Sequence, residues 1–181
     1  MLTRGILLIS GLILGAALPL SGWPQSPASP PAPSPVDALD WMAGGKWTAE
    51  EKDGDRLLRV EMNCRRSENR QAILFEVSYL TAEGRVVPQY QGMYVWHPVK
   101  KAFLLWQVNR DGNIAEGEMR EEDGKWTQHS LVTESGGGTH ELRTVMQRTG
   151  EDMLHLKGYF RAKETDSWTD AVDLIFRRAA R

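Results

Sequence analysis

Histidine and cysteine are the side chains in this chain with the clearest capacity for metal or covalent chemistry, and the 181 residues contain four histidines and one cysteine. His129 and His140 flank the turn "ESGGG" (134–138) at nearly equal distances, so one strand register would place them face to face as metal ligands. No third ligand is evident, whereas a catalytic zinc needs about three protein ligands and a structural zinc about four. The sequence therefore predicts no metal site.

Catalytic patterns are equally sparse. Cys64 shares its phase with Leu58, Val60 and Met62, which predicts a buried small apolar side chain rather than a nucleophile. The acidic run "EGEMREED" (116–123) lies beside an Asp-Gly turn and indicates a solvated hairpin rather than an acid/base pair. Neither a nucleophile elbow nor a zinc-protease or phosphate-binding motif occurs. We therefore expect a protein that is not an enzyme and has no cofactor.

The amino-terminal residues predict export. Residues 1–22 contain Arg4 and an apolar run from Ile6 to Leu20, shorter than the ~20 residues of a spanning helix and typical of a secretory signal peptide. An uncleaved anchor is the alternative. Residues 23–35 are proline-rich and predict a disordered, extended spacer. Residues 36–181 then form one domain in the periplasm or outside the cell, with no stable membrane span after cleavage.

The charge pattern of this domain argues against nucleic acid as a partner. The chain has 22 basic and 24 acidic residues, and only Arg4 lies outside residues 36–181, so the domain carries 21 minus 24, or −3. Basic residues are scattered among acidic ones, without the basic stripe that neutralises phosphates. With Cys64 as the sole cysteine, no internal disulfide can form.

From Lys46 onward, polar and apolar residues alternate with period two between short turn clusters, which predicts an all-β domain of about ten antiparallel strands. Asp-Gly and glycine-rich turns favour hairpins between neighbouring strands. A single up-and-down barrel is favoured over a sandwich, because closure removes exposed sheet edges.

The two central strands, "YQGMYVWHP" and "KAFLLWQV", are apolar on both faces. The sequence predicts one face with Tyr90, Tyr94, Trp96, Leu104 and Trp106, and the opposite face with Met93, Val95, Phe103 and Leu105. Strands of this kind are covered on both sides. Either the amino-terminal segment lies across them or a second subunit does, which makes a homodimer one of the expected partners.

The stretch "LDWMAGGKW" (39–47) precedes the first strand. We expect a short helical turn over Val36 to Met42 that closes one end of the barrel with Trp41. Gly44 and Gly45 then permit a sharp turn into the first strand, and Trp47 points inward.

Gly45-Lys46-Trp47 resembles the Gly-x-Trp signature of the calycins, which include lipocalins, fatty-acid-binding proteins and nitrobindin-like barrels. Together with the Gly-Met-x-x-Trp-x-Pro strand (92–98) and the Asp-Gly-x-x-x-Glu-Gly hairpin (111–117), it resembles an exported bacterial lipocalin-like family of unknown function. The resemblance implies a barrel with an internal cavity and no established chemistry. The lipocalin disulfides are absent, which favours the intracellular-type or nitrobindin-like branch.

The calycin resemblance suggests two kinds of ligand. Nitrobindin-like barrels hold haem through a histidine on a late strand, and "MLHLKGYFRAK" is similar, but the inward phase of Leu154 and Leu156 turns His155 outward. Fatty-acid-binding barrels hold a carboxylate with inward arginine and tyrosine residues. The candidate ligand-binding residues here are Tyr90, Tyr94, Trp96, Leu104, Trp106, Arg110 and Arg143.

The leading expectation is therefore an exported, non-enzymatic barrel that binds a small apolar or amphipathic molecule. The alternatives are an interaction or dimerisation module with a filled barrel and a nitrobindin-like haem-binding barrel.

Overall fold

Ten antiparallel strands close into one up-and-down barrel in the computed structural model, which describes residues 33–53, 56–81 and 83–179. The predicted all-β barrel is confirmed. The predicted signal peptide and nearly all of the predicted spacer lie outside the described residues. The described residues contain no helix with the length and hydropathy needed to cross a bilayer.

Each strand pairs with its neighbours in sequence, and the first pairs with the last. A 3₁₀ helix at Pro35–Leu39 precedes them. The strands are β1 Gly45–Asp53, β2 Arg56–Arg66, β3 Ala72–Leu80, β4 Val86–His97, β5 Ala102–Asn109, β6 Ile114–Glu122, β7 Lys125–Thr133, β8 Thr139–Gly150, β9 Met153–Arg161 and β10 Thr169–Arg178.

Turn chemistry places the hairpins where the sequence predicts them. Asp123 and Gly124 connect β6 to β7 with φ of 52° and 74°, the two positive values that a tight two-residue turn requires. Gly112, in the Asp-Gly turn before β6, has φ of 83°. The short connections keep consecutive strands adjacent, so the chain winds once around the barrel.

The closed end of the barrel is the end where β1 begins, and it is filled by the residues that precede β1. Trp47 is fully buried, and its indole Nε1 donates a hydrogen bond to the carbonyl oxygen of Met42 over 3.0 Å. The ring of Trp41 meets Trp47 edge-on, with centroids 6.2 Å apart. Leu39 and Met42 are also buried. We call residues 35–43 the plug.

The plug begins one residue earlier than predicted. Its helix starts at Pro35, and the side chain of Ser34 accepts a hydrogen bond from the Val36 amide over 3.3 Å. Gly44, with φ of 77°, supplies the sharp turn from the plug into β1. A β-carbon on Gly45 would lie 3.0 Å from Arg178 Nη1, so this position leaves little room for a side chain.

The closing seam between β1 and β10 is short. Its register comprises Trp47 opposite Arg178 and Thr48 opposite Arg177, extended by a 2.7 Å hydrogen bond from the Ala179 amide to the Lys46 carbonyl. Arg178 reinforces this seam, because its guanidinium lies 4.4 Å from the Trp47 ring centroid and donates hydrogen bonds to the carbonyl oxygens of Trp41 and Ala43. One side chain thus joins the last strand, the first strand and the plug.

The predicted faces of the central strands are partly wrong. Trp96 pairs with Phe103 and Tyr94 with Leu105, so these four side chains share the inner face. Leu104 and Trp106 lie instead on the outer face with Met93 and Val95. The reason is the length of the turn between the two strands. Residues 98–101 form the turn, so His97 pairs with Ala102. Each odd-numbered residue of β5 therefore lies opposite an even-numbered residue of β4 and shares its face.

Replacing Trp47 with alanine should cost about 3 to 5 kcal/mol of unfolding free energy, because it removes a buried indole and a hydrogen-bonded contact to the plug. Trp41→Ala should cost less, since Trp41 is only partly buried. The matched control is Trp106→Ala on the outer face, where the side chain is 42% exposed. Thermal unfolding of the three variants checks this order, and a Trp47→Ala protein that melts with Trp106→Ala would contradict it.

Candidate functional site

The barrel encloses a cavity of about 300 Å³ between the plug and the open end, where β1 ends. Much of its wall is apolar and comes from strands on all sides of the barrel. The apolar lining includes Met42, Val60, Met62, Phe75, Val77, Ala115, Leu142, Met146, Leu156, Val172, Leu174 and Phe176. The polar lining includes Glu51, Tyr79, Tyr90, Tyr94, Gln107, Gln128 and Thr144.

A buried chain of hydrogen bonds crosses the cavity floor. The Tyr94 hydroxyl donates to Gln128 Oε1 over 3.1 Å, and Gln128 Nε2 donates to Ser130 Oγ over 2.9 Å. All three residues are buried, and burial raises the pKa of the Tyr94 phenol above its ordinary value. Tyr94 is therefore neutral near pH 7 and donates a hydrogen bond within this chain.

Gly92 shapes the wall formed by β3, β4 and β5. A β-carbon on Gly92 would lie 2.5 Å from the Phe75 ring and 2.6 Å from the Trp106 carbonyl oxygen. The missing side chain lets the Phe75 ring lie over β4, where it packs against Tyr94 with ring centroids 5.1 Å apart. The glycine of the Gly-Met-x-x-Trp-x-Pro motif is therefore required for the shape of the cavity and does not form a turn.

Two β-bulges lie near the open end of the barrel. Between β3 and β4 the register passes from Val77 opposite Tyr90 to Ser78 opposite Pro88, so Gln89 is an extra residue. Tyr90 lies on the inner face in phase with Gly92 and Tyr94, and the bulge reverses the alternation only beyond it, at residues 86–88. Between β9 and β10 a second shift makes Ala171 the extra residue, and both Ala171 and Val172 line the cavity. Bulges commonly redirect side chains beside functional sites.

The aromatic residues predicted to bind a ligand divide between the two faces. Tyr90 and Tyr94 line the cavity. Trp96 points inward but lies toward the closed end, where it packs against Phe103 with ring centroids 5.2 Å apart, and it does not line the cavity. Leu104 and Trp106 lie on the outer wall and do not line the cavity.

The two predicted arginines do not line the cavity either. Arg110 lies in an exposed turn at the open end, with its Nε 3.8 Å from Asp111. Arg143 lies on the outer wall, where its guanidinium is 4.5 Å from the Tyr159 ring centroid and 4.9 Å from that of Trp168. Arg161 covers the same Trp168 ring at 4.6 Å. A carboxylate inside the cavity therefore has neither arginine as its partner.

The histidines are separated rather than grouped. His129 pairs with Arg143 and is exposed, whereas His140 pairs with the inward Val132 and contacts Glu134 Oε1 at 3.0 Å, so the two do not face each other. His155 Nε2 lies 2.5 Å from Asp173 Oδ1 on the outer wall, as its phase predicts. A haem in the cavity would not reach it. Among the described residues, no group of three or more His, Cys, Asp or Glu side chains is placed to hold a metal.

Sequence reasoning missed several polar lining residues. Glu51 lies two residues beyond Ala49 and four beyond Trp47, so its inward phase is visible in the sequence, but a charged residue near a turn suggests solvent. Gln128 likewise shares its phase with Trp126 and Val132. The inward position of Glu51 and Gln128 can be inferred from their phase along the strand, whereas their polar residue types suggest exposure to solvent.

No family model matches the chain, and no curated protein is detectably similar to it. The proposed function therefore depends on the geometry of the barrel.

Cys64 should make stability fall at alkaline pH. Burial raises the pKa of its thiol from the ordinary 9.0 to about 12. Between these values the unfolded state releases the proton while the folded state keeps it, so unfolding free energy decreases as pH rises. In urea unfolding at several pH values across this interval, Cys64→Ala should show a shallower decline than the parent protein. Equal slopes would mean that the thiol ionises in the folded state as well.

Proposed function

We propose that the protein is an exported, non-enzymatic barrel that binds a small apolar or amphipathic molecule in its cavity. The observation that carries this proposal is the cavity itself, which is closed by the plug at one end and combines an apolar wall with a few convergent polar groups. This combination is characteristic of ligand sites. The Gly-x-Trp position at the closed end supports a calycin-like assignment, because Trp47 there closes the barrel bottom.

The cavity volume limits the ligand. At about 300 Å³ the cavity lies at the lower end of the range for small-molecule pockets, which favours a compact molecule. The polar groups inside are suited to orientation. Tyr94, Gln128 and Ser130 already satisfy one another by hydrogen bonds, and the neutral phenol and the amide are weak as proton-transfer groups. These features support binding rather than catalysis.

A cavity-filling substitution tests the proposal. Thr144→Phe introduces a ring into the cavity, whereas Thr133→Phe places the same ring on the exposed outer face of β7. The neutral fluorescent amphiphile N-phenyl-1-naphthylamine should bind the parent protein and Thr133→Phe saturably. Its affinity for Thr144→Phe should be at least about tenfold lower, a loss of about 1.4 kcal/mol.

The readout is fluorescence enhancement on titration, with thermal unfolding as the check that each variant is folded. An unresponsive parent protein contradicts the proposal, as does equal binding by a folded Thr144→Phe. Solvent extraction of the purified protein followed by mass spectrometry supplies an independent test, since a resident ligand should be recovered in stoichiometric amount.

Self-association is a second candidate function. It is favoured by a row of directly paired residues that crosses neighbouring strands on the outer wall. The row runs across five strands through Arg65, Leu74, Met93, Trp106 and Glu116. Its centre is apolar, with Met93 36% and Trp106 42% exposed. Arg65 and Glu116 are both exposed and form no ion pair within the described part of the chain.

This row is complementary to itself. A two-fold axis through Met93 reverses the row, so that Arg65 of one copy meets Glu116 of the other and Trp106 meets Leu74. An isologous dimer requires such self-complementarity. A surface depression of about 410 Å³ bordered by Arg65, Leu74 and Gln91 lies where the second copy's Trp106 would arrive.

Charge reversal tests the dimer without disturbing the core. Arg65→Glu should weaken association at least about tenfold in sedimentation equilibrium, because it places like charges opposite each other. The double variant Arg65→Glu with Glu116→Arg should restore it. Phe103 and Leu105 are unsuitable targets, since they are buried in the core. A monomeric parent protein at high concentration, or a double variant that fails to recover, excludes this dimer.

A further inference from the structure

We infer that the cavity selects a cationic amphiphile, such as an alkylammonium, whose positively charged head lies against Glu51 near the open end and whose apolar part extends toward the plug. This inference rests on the proposed binding function and specifies the charge of the ligand.

Glu51 is placed inside by the alternation of β1. Trp47 and Ala49 are buried on the inner face, and Glu51 follows them in phase and lines the cavity. Its neighbour Glu50 is exposed on the outer face. Among the cavity-lining residues that the structure describes, Glu51 is the only charged one. Its carboxylate forms no ion pair or side-chain hydrogen bond with the described residues.

A carboxylate in this position lacks the compensation that buried or half-buried charges usually have. Charged groups removed from water are ordinarily paired, because an uncompensated charge is costly in a low-dielectric environment. Glu61 follows this rule, since it is buried and lies 2.6 Å from Lys46 Nζ. The half-buried Glu51 has no such partner among the described residues, and a ligand ammonium would supply one.

Aromatic side chains complete the surroundings of the cationic head. Tyr79 and Tyr90 line the cavity with Glu51, and aromatic ring faces attract alkylammonium groups. The electrostatic potential in this part of the cavity also favours a cation. Burial, followed by the negative charges of Glu51 and Asp111, raises the pKa of the Tyr90 phenol, so both carboxylates act on this part of the cavity. A cationic head would be stabilised by the same charges.

The remaining cavity suits an alkyl chain. Beyond Glu51, the lining toward the plug is formed by residues such as Met62, Phe75 and Leu174. No lysine or arginine is among the described lining residues, and Arg143 points to the outer wall. An anionic head would therefore meet Glu51 without a compensating base. The structure favours the opposite charge from that of a fatty acid.

Three eight-carbon ligands that differ only in their head groups test the inference: octylammonium, 1-octanol and octanoate. Isothermal titration calorimetry with the folded protein should give an affinity for octylammonium at least about tenfold above that for octanoate, which corresponds to about 1.4 kcal/mol. Glu51→Gln, which preserves shape, should remove the preference for octylammonium over octanoate. Glu50→Gln removes a carboxylate from the outer face of the same strand and should retain the preference.

The outcomes separate this inference from the proposed function. If none of the three ligands binds and N-phenyl-1-naphthylamine does not bind either, the cavity is not a ligand site and both proposals fail. If the ligands bind equally, or octanoate binds best, the cavity is a ligand site but the cation assignment is wrong. A preference that weakens equally in Glu50→Gln and Glu51→Gln would reflect net protein charge and also overturn it.

Discussion

The contact between Arg178 and Trp47 is the interaction on which the rest of the barrel depends. Closing ten strands requires the first and last to pair, and here that seam contains few backbone pairs. The Arg178 guanidinium compensates by lying 4.4 Å from the indole centroid of β1 and donating hydrogen bonds to two carbonyl oxygens of the plug. Its fixed, planar set of donors makes this three-way contact available to arginine and not to lysine. The same arginine side chain therefore stabilises both the pairing of the first and last strands and the plug at the bottom of the barrel.

The polarity of the cavity follows from that arrangement. The plug and the aromatic residues near it fill the lower half of the barrel with apolar side chains, so the space that remains lies toward the open end. Polar residues there are stable where they bond to one another, as Tyr94, Gln128 and Ser130 do. Glu51 has no equivalent partner among the described residues.

The sequence predicted the strand number, the turns and the inner faces of β2, β9 and β10, because polar and apolar residues alternate clearly there. It failed for the central hairpin, where both faces are apolar and alternation carries no information. Register then depends on the connection, and the pairing of Trp96 with Phe103 moved Leu104 and Trp106 outside. His129 and His140 were separated for a related reason, since the register of β7 and β8 pairs odd positions with odd positions. The bulge at Gln89 has no clear sequence signal beyond Pro88, although proline in strands is common at bulges.

β4 connects the two proposed functions, because its alternate residues serve opposite sides of the wall. Tyr90 and Tyr94 line the cavity, while Met93 lies at the centre of the outer row. A register slip of one residue would exchange these faces, placing Met93 inside and the tyrosines outside. The close fit of Gly92 beneath the Phe75 ring opposes such a slip, since any other residue at that point would collide with the ring. The same glycine therefore maintains both the cavity wall and the position of the outer apolar row, so binding inside and association outside are compatible uses of one strand.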